Sequence, residues 1–309
     1  MGLVSYFYRK NFICRHDKEV GVPYFSYEDF KGLKQEDHYF ISSRGYKLRY
    51  FFYYYDHYKE DKIIFFCHGL GAGHAAYFAE IETLAKRGYK VLTLDYTGCL
   101  DSEGKDMVSL TEPARNVIEL LDYLKLKQEI VLVGHSLGGF TALNVINIRQ
   151  DIKTAVILSG FLSISLTMKK FLKSKFVISR VLKYESKMGK EYYALDNIEY
   201  LKTTEDNIFF IQSDDDQIIP YDVALKVVEQ IDNPNVKTLR LTGRKHNPNY
   251  TDEAVTYMNE VFGAYYQLIK DKKIRTDQEK IAYFKDKSIA KMTEQDPKIF
   301  DQIIEFIEQ

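Results

Sequence analysis

Short apolar runs recur along the chain, and the segments between them return apolar residues every three to four positions. Lys62–Cys67, Lys90–Asp95, Glu129–Val133, Lys153–Gly160, Asn207–Gln212 and Val236–Leu241 read as strands. Runs such as Ile63-Ile64-Phe65-Phe66 do not alternate with polar residues, as expected for strands buried on both faces of a parallel sheet. Ahead of them, aromatic, β-prone residues on either side of Ser43-Arg44-Gly45 predict an antiparallel hairpin over 37–55. Helical periodicity marks Ala75–Arg87, closed by Gly88, and Thr111–Leu126, opened by Thr111 and Pro113. It marks Phe140–Ile148, Tyr221–Ile231, Thr251–Lys270, Gln278–Lys287 and Asp296–Glu308 as well.

Strand and helix therefore alternate, which predicts an α/β fold. Its central sheet is mostly parallel, with helices on both faces and the functional edge at the carboxyl ends of the strands. Residues 161–205 break the alternation with a lysine-rich helical stretch placed to cover that edge as a lid. The expected organisation is an N-terminal segment (1–36), a core (37–160 and 206–270), the lid (161–205) and a C-terminal helical extension (271–309). The first segment has no clean periodicity; a short helix around Tyr6-Phe7-Tyr8, packed on the core, is the most it suggests.

Composition narrows the partners. With 309 residues, 45% of them hydrophobic, and a formal net charge of −1, the chain has material for a large core and no electrostatic case for nucleic acid. Cys14, Cys67 and Cys99 are too few and scattered for a disulfide framework and lack CxxC spacing, so a cytoplasmic setting is expected. Arg9, Lys10 and Asn11 interrupt any signal-peptide core, and no apolar run is long enough for a membrane span, so a soluble protein is expected. The lid's basic, apolar composition is compatible with peripheral contact to anionic lipid, although a solvated lid surface is favoured.

The chemistry concentrates at strand ends. Gly134-His135-Ser136-Leu137-Gly138 joins a strand directly to a helix, and glycines on both sides let neighbouring backbone approach a strained, exposed serine. Ser136 is the candidate nucleophile. His68-Gly69-Leu70-Gly71 follows the third strand, where an oxyanion donor is needed; the N–H groups of Leu70 and Leu137 are assigned that role. An acid that orients the base fits Asp214, Asp215 or Asp216 at the next strand end, and His246, beyond the last strand, fits the base. His68 and His74 suggest metal ligands only weakly, because no acid or further histidine stands near them in sequence; no metal is expected. Cys99 and Ser102 lie off any strand-to-helix elbow and read as turn residues.

The order Ser136, aspartate, His246 resembles the α/β-hydrolase superfamily over about residues 37–270. Asp95-Tyr96-Thr97-Gly98 followed by Asp101-Ser102-Glu103-Gly104 is similar to its lysophospholipase and monoglyceride-lipase-like members. In that branch the acid stands four residues before a proline, which implies Asp216 ahead of Pro220, with Asp214 as fallback. The resemblance also implies a helical lid and no metal or organic cofactor. The expected activity is hydrolysis of a small-molecule carboxylic acyl ester through an acyl-enzyme. A lysophospholipid, a thioester or a small-peptide amide would use the same machinery, and a non-catalytic binding protein of the same fold is the third reading.

Overall fold

A computed structural model describes residues 3–309; Met1 and Gly2, which open the N-terminal segment, lie outside the described residues. The chain begins with helix α1 (Leu3–Tyr8), continued by one π-helical stretch over Arg9–Ile13. The hairpin strands β1 (Lys34–Ile41) and β2 (Lys47–Tyr54) follow, then β3 (Lys62–Cys67), α2 (Phe78–Lys86), β4 (Lys90–Leu94) and α3 (Glu112–Leu124). β5 (Glu129–His135) runs into α4 (Leu137–Ile148), and β6 (Thr154–Leu158) leads to the insertion helices α5 (Ile164–Phe171), α6 (Lys175–Gly189) and α7 (Asn197–Thr203). β7 (Asn207–Ser213), α8 (Leu225–Val228) and β8 (Val236–Leu241) complete the sheet. Four helices end the chain: α9 (Asp252–Lys270), α10 (Asp277–Phe284), α11 (Ile289–Met292) and α12 (Pro297–Ile307).

The eight strands form one sheet in the order β1-β2-β4-β3-β5-β6-β7-β8. β2 runs antiparallel to β1 and β4, and every pairing from β4 to β8 is parallel. This is the α/β-hydrolase fold with a helical lid inserted after β6. Because successive side chains on a strand point to opposite faces, neighbours separate cleanly. Phe65, Leu132 and Phe210 pack under α3, α4 and α8, whereas Phe66, Val133 and Ile211 pack under α2 and α12. The parallel strands read as unbroken apolar runs because both faces are covered.

One element differs from the periodicity. The span read as one helix over 221–231 is a single 3-10 turn (Tyr221–Val223) followed by α8, with Ala224 at φ −131°, ψ −102° between them. The buried Gln212 side chain accepts from Leu225 N–H at 3.0 Å, so a new helix starts there instead of continuing the old one. At the carboxyl end, α9 makes its main apolar contacts with α10 and α11, through Val261, Tyr265, Phe284 and Met292. It is α12 that returns to the sheet, laying Ile299, Phe300, Ile303, Phe306 and Ile307 on the face shared with α2.

Candidate active site

β5 ends in Gly134-His135 and α4 begins at Leu137, so Ser136 alone must reverse the chain direction; it does so at φ 57°, ψ −119°. A positive φ at a residue with a Cβ costs on the order of 1–3 kcal/mol, and here tight packing holds it. A Cβ at Gly134 would overlap the Gly138 carbonyl, and one at Gly138 would overlap the Cys67 carbonyl at the end of β3. The elbow thus rests on backbone that glycine alone permits. Leu137, as the first residue of α4, leaves its N–H free of intrahelical partners, at the end of the helix that favours negative charge.

His246 sits beyond β8, and its Nδ1 lies 2.8 Å from Asp216 Oδ2. Asp216 is 4% exposed, and its other oxygen accepts the N–H groups of Ile218 and Ile219, each at 2.9 Å. The carboxylate is therefore pinned toward the imidazole. The neighbouring aspartates point elsewhere: Asp214 accepts from Arg240 and Thr242, while Asp215 accepts from Ser213 and the Lys245 N–H and pairs with the Lys245 ammonium at 2.9 Å. Both stitch β7 to the loop that carries His246. Among the described residues neither Ser136 Oγ nor His246 Nε2 has a hydrogen-bond partner.

A second histidine, adjacent to Ser136 in sequence, ties the two loops together. His135 Nε2–H donates to the carbonyl of His246 at 2.6 Å, and the ring centroids are 4.8 Å apart. Its Nδ1 accepts from the Tyr77 hydroxyl at 3.1 Å. Burial pushes this imidazole down to about 3, so it stays neutral with the proton on Nε2. Tyr77 in turn abuts Gly69, where a Cβ would meet the Tyr77 oxygen on one side and the Ser136 Cβ at 3.2 Å on the other.

Ser136, Leu70 and Leu137 line one side of a cavity of about 740 Å³. The other walls come from the lid, through residues such as Met168, Leu172 and Val181, and from the N-terminal segment, through Val4, Phe7, Tyr8 and Phe12. Among the described residues that line it, none carries a charge. The N-terminal segment is fastened to the lid by Glu185 on α6, which accepts from Tyr8 Oη at 2.9 Å and from Leu110 N–H at 3.0 Å. Glu185 is fully buried, which pushes its carboxyl up to about 7. The sequence pattern pointed to neither this wall nor its fastening; the only local signal is the aromatic density of Tyr6-Phe7-Tyr8 and Phe12.

The histidines set aside as metal ligands have an acid beside them after all. Asp95 Oδ1 accepts from His74 at 2.8 Å, and the ligand atoms of His68, Asp95 and Cys99 lie within 4.8 Å of one another. That acid stands just past the end of β4, out of reach of sequence spacing. The adjoining void is only about 10 Å³, close to the minimum for one water. Burial raises the Cys99 thiol well above its ordinary range and lowers His68 to about 4, so the cluster is held as neutral thiol and imidazole beside one carboxylate.

Comparison with known proteins places these elements. A family model described as serine aminopeptidase, S33, matches residues 58–207, which include Leu70 and Ser136 and end before Asp216 and His246. The Pyrococcus furiosus esterase Pf2001 superposes with a TM-score of 0.58 at 19% identity, covering 83% of this chain and 96% of its own. Est1E of Butyrivibrio proteoclasticus, solved with ferulic acid bound, gives 0.56 at 21% identity over 74% of this chain and 98% of its own. Among curated proteins, one named as a chloroplastic methylesterase in Arabidopsis thaliana is 35% identical over 74 residues, and the chain spans only 21% of its length.

Proposed function

We propose, for this member of the α/β-hydrolase-fold superfamily, that it is a serine hydrolase cleaving carboxylic esters of apolar acyl groups, with Ser136, His246 and Asp216 as catalytic residues. One observation carries the reading: a serine held at φ 57° on a strand-to-helix turn opens into a cavity whose described lining is uncharged, and a half-buried histidine stands paired with a buried aspartate on the neighbouring loops. Ser136 Oγ attacks the acyl carbon while His246 Nε2 takes its proton, a contact that forms as substrate seats. Asp216 holds the tautomer and stabilises the imidazolium. The N–H groups of Leu70 and Leu137 receive the charge on the carbonyl oxygen. His246 returns the proton to the leaving alkoxide, and water releases the acid by the same steps in reverse.

The family description names a peptidase, yet the described residues of the cavity offer no carboxylate to bind the ammonium of a free amino terminus. Its aliphatic and aromatic lining favours an acyl chain, so among the alternatives a lysophospholipid or another lipid-borne ester ranks above a thioester or a peptide amide. The three unpaired cysteines fit a reducing, cytoplasmic setting. The test is labelling with a fluorophosphonate probe and location of the adduct by mass spectrometry. The adduct is expected on Ser136, absent in Ser136→Ala, whose turnover of a chromogenic ester series should fall on the order of 10⁴-fold or more. An intact probe with no adduct would favour the non-catalytic binding protein.

A further inference from the structure

The mouth of the cavity is apolar and solvent-facing at once. Phe7, Phe12, Leu70, Phe171 and Ile218 line the cavity and are each 39–59% exposed, so they form its rim. Phe176, 61% exposed, stands next to the lining residue Val177 in the first turn of α6. Clustered exposed aromatics are costly on a free surface and mark a contact site.

Charge says what the contact is with. Residues 161–190 carry eight lysines and arginines and one acid, Glu185, which is buried, although the whole chain has a net charge of −1. Lys169, Lys173 and Lys175 pair with no carboxylate among the described residues; Lys170 pairs with Asp222. These lysines line a groove that meets the cavity at Leu172, so the cations flank the aromatic rim and are interspersed with Phe171 and Phe176 from the end of α5 to the start of α6. A second copy docking face to face would bring two such basic patches together, which disfavours self-association.

We propose that this rim docks on an anionic lipid layer, with the phenylalanines at the acyl boundary, the lysines at the headgroup phosphates, and the cavity mouth opening into the layer. Long lysine stems reach the phosphates while the rings sit deeper. Transfer of an acyl ester from the layer to Ser136 rests on the hydrolase reading above; the docking itself does not. The test therefore uses the catalytically silenced Ser136→Ala chain and reads co-sedimentation with vesicles.

Binding is expected to phosphatidylcholine vesicles containing roughly a third phosphatidylglycerol and to be weaker on phosphatidylcholine alone. It should fall as salt is raised past about 0.5 M. Adding Lys173→Gln and Lys175→Gln should weaken it roughly 20- to 30-fold, and Phe176→Ser alone about tenfold, with melting temperatures equal to the parent's as proof of folding. No association with the anionic vesicles at low salt would overturn the proposal, as would association that survives the two lysine changes. A stable dimer in sedimentation velocity that Phe176→Ser dissociates would overturn it in favour of a protein–protein face.

Discussion

Replacing His135 tests how the base loop is held. The imidazole donates to the half-buried His246 carbonyl and accepts from the buried Tyr77 Oη. His135→Leu leaves that carbonyl without a donor and the Tyr77 proton without an acceptor, at about 1–3 kcal/mol for each stranded group. The loop relieves the cost by shifting, and a displacement near 1 Å at a reacting group lowers turnover by about 10²-fold. His135 does not line the cavity, so KM should stay near the parent value while kcat falls. His135→Gln restores an N–H donor where Nε2 stood and should recover most of the lost turnover. The assay is steady-state kinetics on a soluble chromogenic ester, with the active fraction counted by fluorophosphonate titration so that unfolded protein does not enter the rate. A leucine variant turning over at the parent rate, or a glutamine variant as impaired as leucine, would refute the tether.

Further outcomes follow from the same geometry. Asp216→Asn should cut kcat by on the order of 10⁴-fold, whereas Asp214→Asn, whose partners are Arg240 and Thr242, should leave it within a few-fold; equal losses would move the acid role. Burial raises the carboxyls of Glu80 and Glu185 to about 7 from an unfolded value near 4.5. The folded state therefore holds more protons between those values, and this contribution to stability is complete below about pH 4.5 and lost as pH rises through about 7. Chemical denaturation across that window should show the decline, and Glu185→Gln should flatten it; an unchanged slope would contradict the shift. Ile303→Ala, at a fully buried site between α12 and the sheet, should cost roughly 2–5 kcal/mol without altering KM, read by urea unfolding and kinetics.

Much of the site was legible because its signals are local and covalent in origin. An elbow serine needs glycines two positions either side, and those glycines are visible in any one strand-to-helix junction; overlap with the Gly138 and Cys67 carbonyls explains why nothing else stands there. The strand runs were equally plain, since a parallel sheet covered on both faces erases polar alternation. The choice among three consecutive aspartates was not local. It depends on the turn after β7, where Ile218 and Ile219 offer their N–H groups to the residue that faces His246, while Ser213 and Lys245 draw Asp215 away. The Asp95 contact with His74 was hidden for the same reason, being made between the 3-10 turn after β3 and the end of β4.

What periodicity missed shares one property: its apolar faces meet partners far away in sequence. The N-terminal segment is too short to show a helical stripe, and its aromatic side chains are divided between the cavity, the lid and solvent, so no single face repeats. Its place is set by Tyr8 reaching Glu185, 177 residues away. α12 has a strong apolar stripe, but a stripe announces that a face is buried and not against what. The helices α9 to α11 satisfy one another through Tyr265, Phe284 and Met292, which leaves the sheet face beside α2 open until α12 arrives. α12 therefore completes the buried cluster to which Val131 and Val133 of β5, the strand that ends at Ser136, also belong. One wall of the cavity above that serine comes from residues 4–12, a segment that the strand-and-helix alternation of the core does not include.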